Sequence, residues 1–308
     1  MNIARTAVLI CAATSITACG YNVKAIKSFQ DSTTKLTNTY SDLVITTTKW
    51  CWDAHLYYRV SSSGNYINES ELQNYLKEKC EPYEEKVKSI LVSKQVVNAY
   101  AQALAATAGV SATSWNDDLA KMGSVAQTLK SGEGTALLTP DEVSATVKLA
   151  QFLSEIYITQ KVKKKTVEII QQNTALVNKH VDIMIGFAET MYPTDKQFLD
   201  SGYASAEIEL KKASTIQTAT SKSPARPLED VVANRLKLHE VSLVRKSLKS
   251  SKEADPVVTS FKAAANSLIE ANNDLEKNFT TLDEDEQLAS VKEFAKRIKE
   301  LNDAVKKL

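Results

Sequence analysis

Apolar residues recur every three or four positions along most of the chain, and that period predicts helices rather than strands. Ile26, Phe29, Leu36, Tyr40 and Leu43 open a first stripe, and Thr33, Thr47, Trp50, Ala54 and Tyr57 carry its register on. The stripe is rather polar for a core-facing one. Val44-Ile45-Thr46-Thr47-Thr48 has strand propensity, but the helical period around it should override that preference. Ser61-Ser62-Ser63-Gly64-Asn65 ends this helix, and Asn68 is placed to cap the next. The second helix should run over 69–108, bounded by Gly109 and Ser111. Pro82 lies inside it and should kink the rod or mark a fresh helix start, because proline removes one backbone hydrogen bond. A shorter helix is expected over 114–129.

Thr139-Pro140-Asp141-Glu142 is the clearest local signal, with Thr139 as N-cap, Pro140 at the first helical position and Glu142 completing a capping box. The helix it starts should reach Tyr192 and be halted by Pro193, a rod of about 52 residues and roughly 78 Å. Its second half has two apolar faces. Ile170, Val177, Val181, Met184 and Met191 form one, and Leu176, His180, Ile183 and Phe187 the other. A helix apolar on both sides belongs between neighbours in a bundle. Further helices are expected over 195–218, over 228–250 after a hinge at 220–227 with Pro224 and Pro227, and from Asp255-Pro256 onward with the stripe Val257, Phe261, Ala264, Leu268 and Leu275. Thr281 or Asp283 caps the last helix. Its residues Val291, Phe294, Ile298, Leu301, Val305 and Leu308 form a coiled-coil-like seam, expected to pack within the chain. The fold expected is all-α, an elongated bundle of long antiparallel helices with coiled-coil-like packing. A long-helix bundle over 19–219 carries C-terminal helices over 228–308, in a division that leaves room for one continuous domain.

The first residues are of another kind. Met1-Asn2-Ile3-Ala4-Arg5 carries one positive charge, an apolar stretch over 7–13 follows, and Ile16-Thr17-Ala18-Cys19-Gly20 closes the segment. That order is a secretory signal peptide. Its end resembles the lipobox of bacterial lipoproteins. The resemblance covers about the first 20 residues and implies that 1–18 are removed and that Cys19 receives a diacylglyceryl thioether and a further acyl group such as palmitate. Gly20 stands where an Asp would resemble the inner-membrane retention signal. The resemblance therefore implies the outer membrane, facing the periplasm, with surface exposure left open. An ordinary secreted protein cut after Ala18 shares the same small residues. Residues 6–19 offer about 14 mostly apolar positions, short of the roughly 20 that a span requires. The most apolar later run, 96–112, is broken by Asn98 and Gln102. Two or three acyl chains would hold the protein at a bilayer without help from the folded part.

Composition narrows the partners. Loss of Arg5 with the leader leaves 37 basic against 37 acidic residues, a balance that argues against nucleic acid. Eight glycines and six prolines in 308 residues leave few helix breakers. Of the four cysteines, Cys11 leaves with the leader and Cys19 takes the lipid. Cys51 and Cys80 remain, placed almost symmetrically about the 61–68 loop. In an antiparallel hairpin they come level, which a disulfide needs. The closed loop of about 30 residues makes such a bridge worth roughly 3–4 kcal/mol. Trp50 and Trp52 either cover it or present a binding surface.

Chemistry is sparse. His55, His180 and His239 lie far apart on three helices, and no cysteine cluster has metal-ligand spacing. His180 falls on an apolar face and reads as a core histidine. A Cys51–His55 nucleophile is conceivable near Asp53, but a disulfide would consume the thiol. Glu84-Glu85 and Asp283-Glu284-Asp285-Glu286 read as solvated charge, and Gly132 and Gly134 lack the ending of a phosphate loop. Lys161, Lys163, Lys164 and Lys165 form a basic run suited to lipid head groups or an acidic protein, set against an ordinary solvated face. No catalytic residue, cofactor or metal is assigned. The leading expectation is a lipid-anchored, non-enzymatic binding or scaffold protein. An immunity or inhibitor lipoprotein against an envelope toxin is the narrower form. A helical pore-forming component is the third reading, resting on the segments 96–112 and 183–191. Exposure of 99–110 would favour it and deep burial would sink it.

Overall fold

The computed structural model describes residues 23–62, 68–110, 140–159, 166–216, 227–249, 255–278 and 284–306. Every element among them is a helix: α1 (Val23–Ser62), α2 (Glu69–Thr107), α3 (Pro140–Thr159), α4 (Thr166–Gly186), a π turn (Phe187–Met191), α5 (Tyr192–Ala213), α6 (Leu228–Lys249), α7 (Pro256–Asn278) and α8 (Glu284–Val305). The expected helix over 114–129, Thr139, Leu308 and the cap at 281 or 283 lie outside the described residues, as do the leader and the lipobox.

The helix ends follow from local chemistry. Asn68 caps α2 by accepting from the Ser70 amide at 2.9 Å. At the other end Gly109 adopts φ +80, the left-handed conformation that glycine takes without a Cβ clash. The Val110 amide then reaches Ala105 O and the Gly109 amide reaches Ala106 O, closing a Schellman motif. Asp255 caps α7 through the Val257 amide at 3.0 Å, with Pro256 at the first helical position. The strand-prone run at 44–48 is helical, and Thr46, Thr47 and Thr48 donate their hydroxyls to carbonyls of the preceding turn.

One of the two alternatives for Pro82 is removed, and the expectation for Pro193 is corrected. Pro82 does not restart a helix, since α2 continues through it from Glu69 to Thr107. Pro193 does not halt one. The backbone stays helical from α4 through the π turn into α5, and Pro193 sits in the first turn of α5. A proline cannot donate, so the ladder must be rearranged around it. Here the rearrangement is a wider turn, in which the Tyr192 amide bonds to Phe187 O, five residues back. Of the long helix expected from Pro140, α3 and α4 are described, and residues 160–165 between them lie outside the described residues.

α1 and α2 form an antiparallel hairpin. Thr34 meets Asn98 near one end at 3.1 Å, and Trp52 Nε1 donates to Glu84 near the other at 2.8 Å. At about 1.5 Å per residue α1 alone is roughly 60 Å long. The combined α4–α5 helix runs antiparallel to α2, with His180 beside Ser93 and the Tyr83 hydroxyl donating to Asp195. α7 lies antiparallel on α4 through Asn178–Asn273, 2.7 Å, and its cap Asp255 pairs with Lys196 on α5, 2.7 Å. α8 packs on α7 and on the first half of α1, where Phe29 and Phe294 rings are 6.1 Å apart. α6 packs antiparallel on α5.

One hydrophobic cluster joins α1, α2, α3, α4, the π turn, α7 and α8. Tyr40 is at its heart, stacked on Phe261 and edge-on to Phe187, with ring centroids 5.7 and 5.4 Å away. The expected α7 stripe is buried throughout, and Val291, Phe294, Ile298 and Leu301 of the α8 seam pack inside this cluster. In α4 and the π turn both apolar faces are used, with Val177, Val181 and Met184 buried on one and His180 and Phe187 on the other. The most enclosed stretch is 96–105 of α2, where all ten consecutive residues are buried. A helix buried on every side is the centre of a bundle. Its polar residue Asn98 accepts from Thr34, and Tyr100 donates to Asn272 at 2.7 Å, which in turn bonds Asn178 at 2.9 Å.

Candidate functional site

Chemistry-bearing side chains converge where the C-terminal half of α1 meets the N-terminal half of α2 and the first turns of α5. Cys51 and Cys80 are bonded, with Cα atoms 6.0 Å apart. The antiparallel hairpin brings them level, as their spacing about the loop requires. Neither flanking tryptophan is exposed. Trp50 packs on Tyr192, ring centroids 5.0 Å apart, and Trp52 is pinned to Glu84 of α2.

His55 follows Cys51 by one helical turn and so shares its face of α1. Its ring lies between Tyr75 of α2 and Phe198 of α5, with centroids 5.8 and 4.9 Å away, and its Nδ1 is 3.3 Å from the Tyr75 hydroxyl. Burial, and then the positive charge of Lys79, push the affinity of His55 for a proton below the ordinary. Arg59 and Lys79 sit over the Tyr75 ring at 5.5 and 5.9 Å. Asp53 is driven the other way, its carboxyl raised by burial against the pull of Lys49. The two sulfurs and a ring nitrogen of His55 all lie within 4.8 Å of one another.

α1 and α5 approach closely enough to hold this arrangement. Gly202 faces Ala54, and a Cβ on it would come 2.7 Å from Ala54 O. Next to that contact Tyr57 and Tyr203 pack with ring centroids 4.2 Å apart. On the outer side Arg245 of α6 donates to Asp200 at 3.0 Å and to Glu207, which also pairs with Lys211. The Glu207 carboxyl is held below the ordinary carboxylate range by Lys211 and Arg245.

The sequence places Cys51 and Cys80 correctly as a bridged pair. It finds no metal-ligand spacing because the third member of the cluster comes from a second helix. The one available signal was the Cys51–His55 interval of a single turn. Tyr75 and Phe198 carry no motif at all. His180 is buried between Thr146 at 3.0 Å and Ser93 at 3.1 Å, the core role expected of it, and His239 is exposed on α6. Cys19 and the basic run Lys161, Lys163, Lys164 and Lys165 lie outside the described residues. A shallow hollow of about 490 Å³ beside Pro82 is lined by charged residues of α2 alone, among them Lys77, Glu81 and Glu85. One helix cannot enclose a ligand, so this is a solvated face. No family model, curated protein or solved structure matches the chain.

Proposed function

We propose that the protein is a non-enzymatic binding or scaffold protein of the bacterial envelope, anchored in the outer membrane through acylated Cys19 and facing the periplasm. In this reading its long antiparallel helices form an elongated bundle with coiled-coil-like packing, which holds a protein-binding surface away from the bilayer. Anchorage rests on the residue order Ile16-Thr17-Ala18-Cys19-Gly20. The observation that carries the binding role is on α6. Val231 and Val241 bury one face of that helix against the bundle, while Leu228, Val232, Leu236 and Leu243 lie on the other, 48–68 % exposed. Apolar side chains aligned on a solvent-facing helix suit an amphipathic helix of a protein partner, docked along α6.

The pore-forming reading loses its ground. The segment 96–105 is buried on every side, and among the described residues no helix is long and apolar enough to cross a membrane.

Crosslinking and recovery of the chain from intact envelopes tests the proposal. The parent should retrieve one reproducible protein partner. The pair Leu236→Asp and Leu243→Asp should lose it while keeping the far-ultraviolet circular dichroism of the parent. Equal recovery by the variant would remove α6 from the proposal, and an unacylated Cys19 in the mass of the native N-terminus would remove the anchor.

A further inference from the structure

The cluster at Cys51, Cys80 and His55 has the makings of more than a staple. Cys51 and His55 project from one face of α1, and Cys80 faces them from α2. Cys80 is fully buried and Cys51 nearly so, whereas His55 is only half-buried and gives the cluster an approach from solvent. Two sulfurs and one imidazole nitrogen are the ligand types preferred by a borderline-soft d10 cation such as Zn2+.

Their separations suit it. With bonds of about 2.0–2.3 Å, the donor–donor edges of a tetrahedral zinc site are roughly 3.3–3.8 Å. No separation in the cluster exceeds 4.8 Å, so closure calls for side-chain adjustment without movement of a helix. The scaffold does not depend on the sulfur–sulfur bond for its register. Thr34–Asn98, Trp52–Glu84 and Tyr83–Asp195 fix α1, α2 and α5 independently of it. The imidazole is also oriented. If Nδ1–H donates to the Tyr75 hydroxyl, the other nitrogen carries the lone pair, and a hydrogen bond of this kind is what positions most metal-binding histidines.

We propose that Cys51, Cys80 and His55 form a redox-gated zinc site, closed by the disulfide in the oxidised chain and opened when a dithiol reductant cleaves it. The dithiol gives up two electrons and two protons to the Cys51–Cys80 bond and becomes a cyclic disulfide, leaving two thiols. Zn2+ then displaces both thiol protons to solvent and binds two thiolates and neutral His55, with water in the fourth position. Two thiolate charges and the ion cancel, so the buried site gains no net charge. The alternative role for His55 is that of an aromatic spacer between Tyr75 and Phe198, beside a purely structural bridge.

The test uses the full chain carrying Cys11→Ser and Cys19→Ser, so that only the two bridge thiols remain. It is reduced with a phosphine, desalted without air and titrated with Cd2+ for thiolate-to-metal charge-transfer absorption, then with Zn2+ for stoichiometry. One ion per reduced chain and none per oxidised chain is expected. Cys80→Ser should abolish the charge-transfer band. His55→Phe, which keeps an aromatic ring in the gap, should weaken Zn2+ binding at least about tenfold. Absence of the band in the reduced chain overturns the proposal, and so does unweakened Zn2+ binding by His55→Phe. Should reduction unfold the chain, recovery of helicity on adding Zn2+ supports the site and failure to recover it refutes it.

Discussion

Two glycines in helical backbone meet opposite surroundings. A Cβ on Gly202 would strike the backbone of Ala54, whereas one on Gly186 would meet nothing within 4 Å. Helix propensity alone favours alanine at both. At Gly202 the collision must push α1 from α5, so Gly202→Ala should cost about 1–3 kcal/mol. Gly186→Ala should gain roughly 0.5–1 kcal/mol. Urea midpoints at constant slope measure both, and a shift of the same sign for the two would contradict the close helix contact. Glu207 gives a second test at this scale. Lys211 and Arg245 depress its carboxyl below the ordinary value of 4.5, so its contribution to stability is present above that value and is lost as pH falls through the lower, folded one. Glu207→Gln should therefore be less stable than the parent at neutral pH, and the two should converge in acid, as urea unfolding across a pH series would show. Neither residue announces itself in the sequence. The role of Gly202 depends on which helix it faces, and Glu207 is one of many acidic residues beside a lysine. Cys51 and Cys80 were legible because loop symmetry fixes their pairing without knowledge of any third helix.

Among the elements, legibility follows how much of the signal is local. Asn68, Gly109 and Asp255 carry cap chemistry within a few residues, and each helix end appears where that chemistry sets it. The stripe of α7, and that of α8 as far as Leu301, repeat cleanly enough to name the buried residues, Val305 being half-buried. Proline was the harder case. A helix can continue through Pro82, or rearrange before Pro193 into a π turn, when neighbouring helices pack against it. Those neighbours are tertiary and do not show in a local pattern. The same contrast separates α2 from α6. Residues 96–105 of α2 are buried on all sides, while α6 buries only Val231 and Val241 among its hydrophobics and stands outside the main cluster. Local opening is easiest where few apolar contacts must break. Hydrogen exchange followed by mass spectrometry should find α6 amides exchanging first and those of 96–105 last. Equal protection of the two would show that α6 is held by more than its α5 face.

At the scale of the molecule, α1, α2 and the α4–α5 helix run through both ends. α7 and α8 complete the large cluster at one end, and the disulfide, the His55, Tyr75 and Phe198 rings and α6 gather at the other. Composition and period were enough to anticipate helices alone. They could not show that the chemistry collects at one end, since His55, Cys80 and Phe198 belong to three helices and meet only when all three are in place. The buried hydroxyl of Tyr100 adds a matter of timing. Its acceptor, Asn272, lies 172 residues further along the chain. A polypeptide made from its N-terminus therefore completes its most enclosed helical stretch, 96–105, long before that partner exists. Until α7 is made and docked, Tyr100 cannot reach its native acceptor. The centre of the bundle is thus among the first parts synthesised and among the last to be finished, and the chain must keep that helix from other apolar surfaces in the interval.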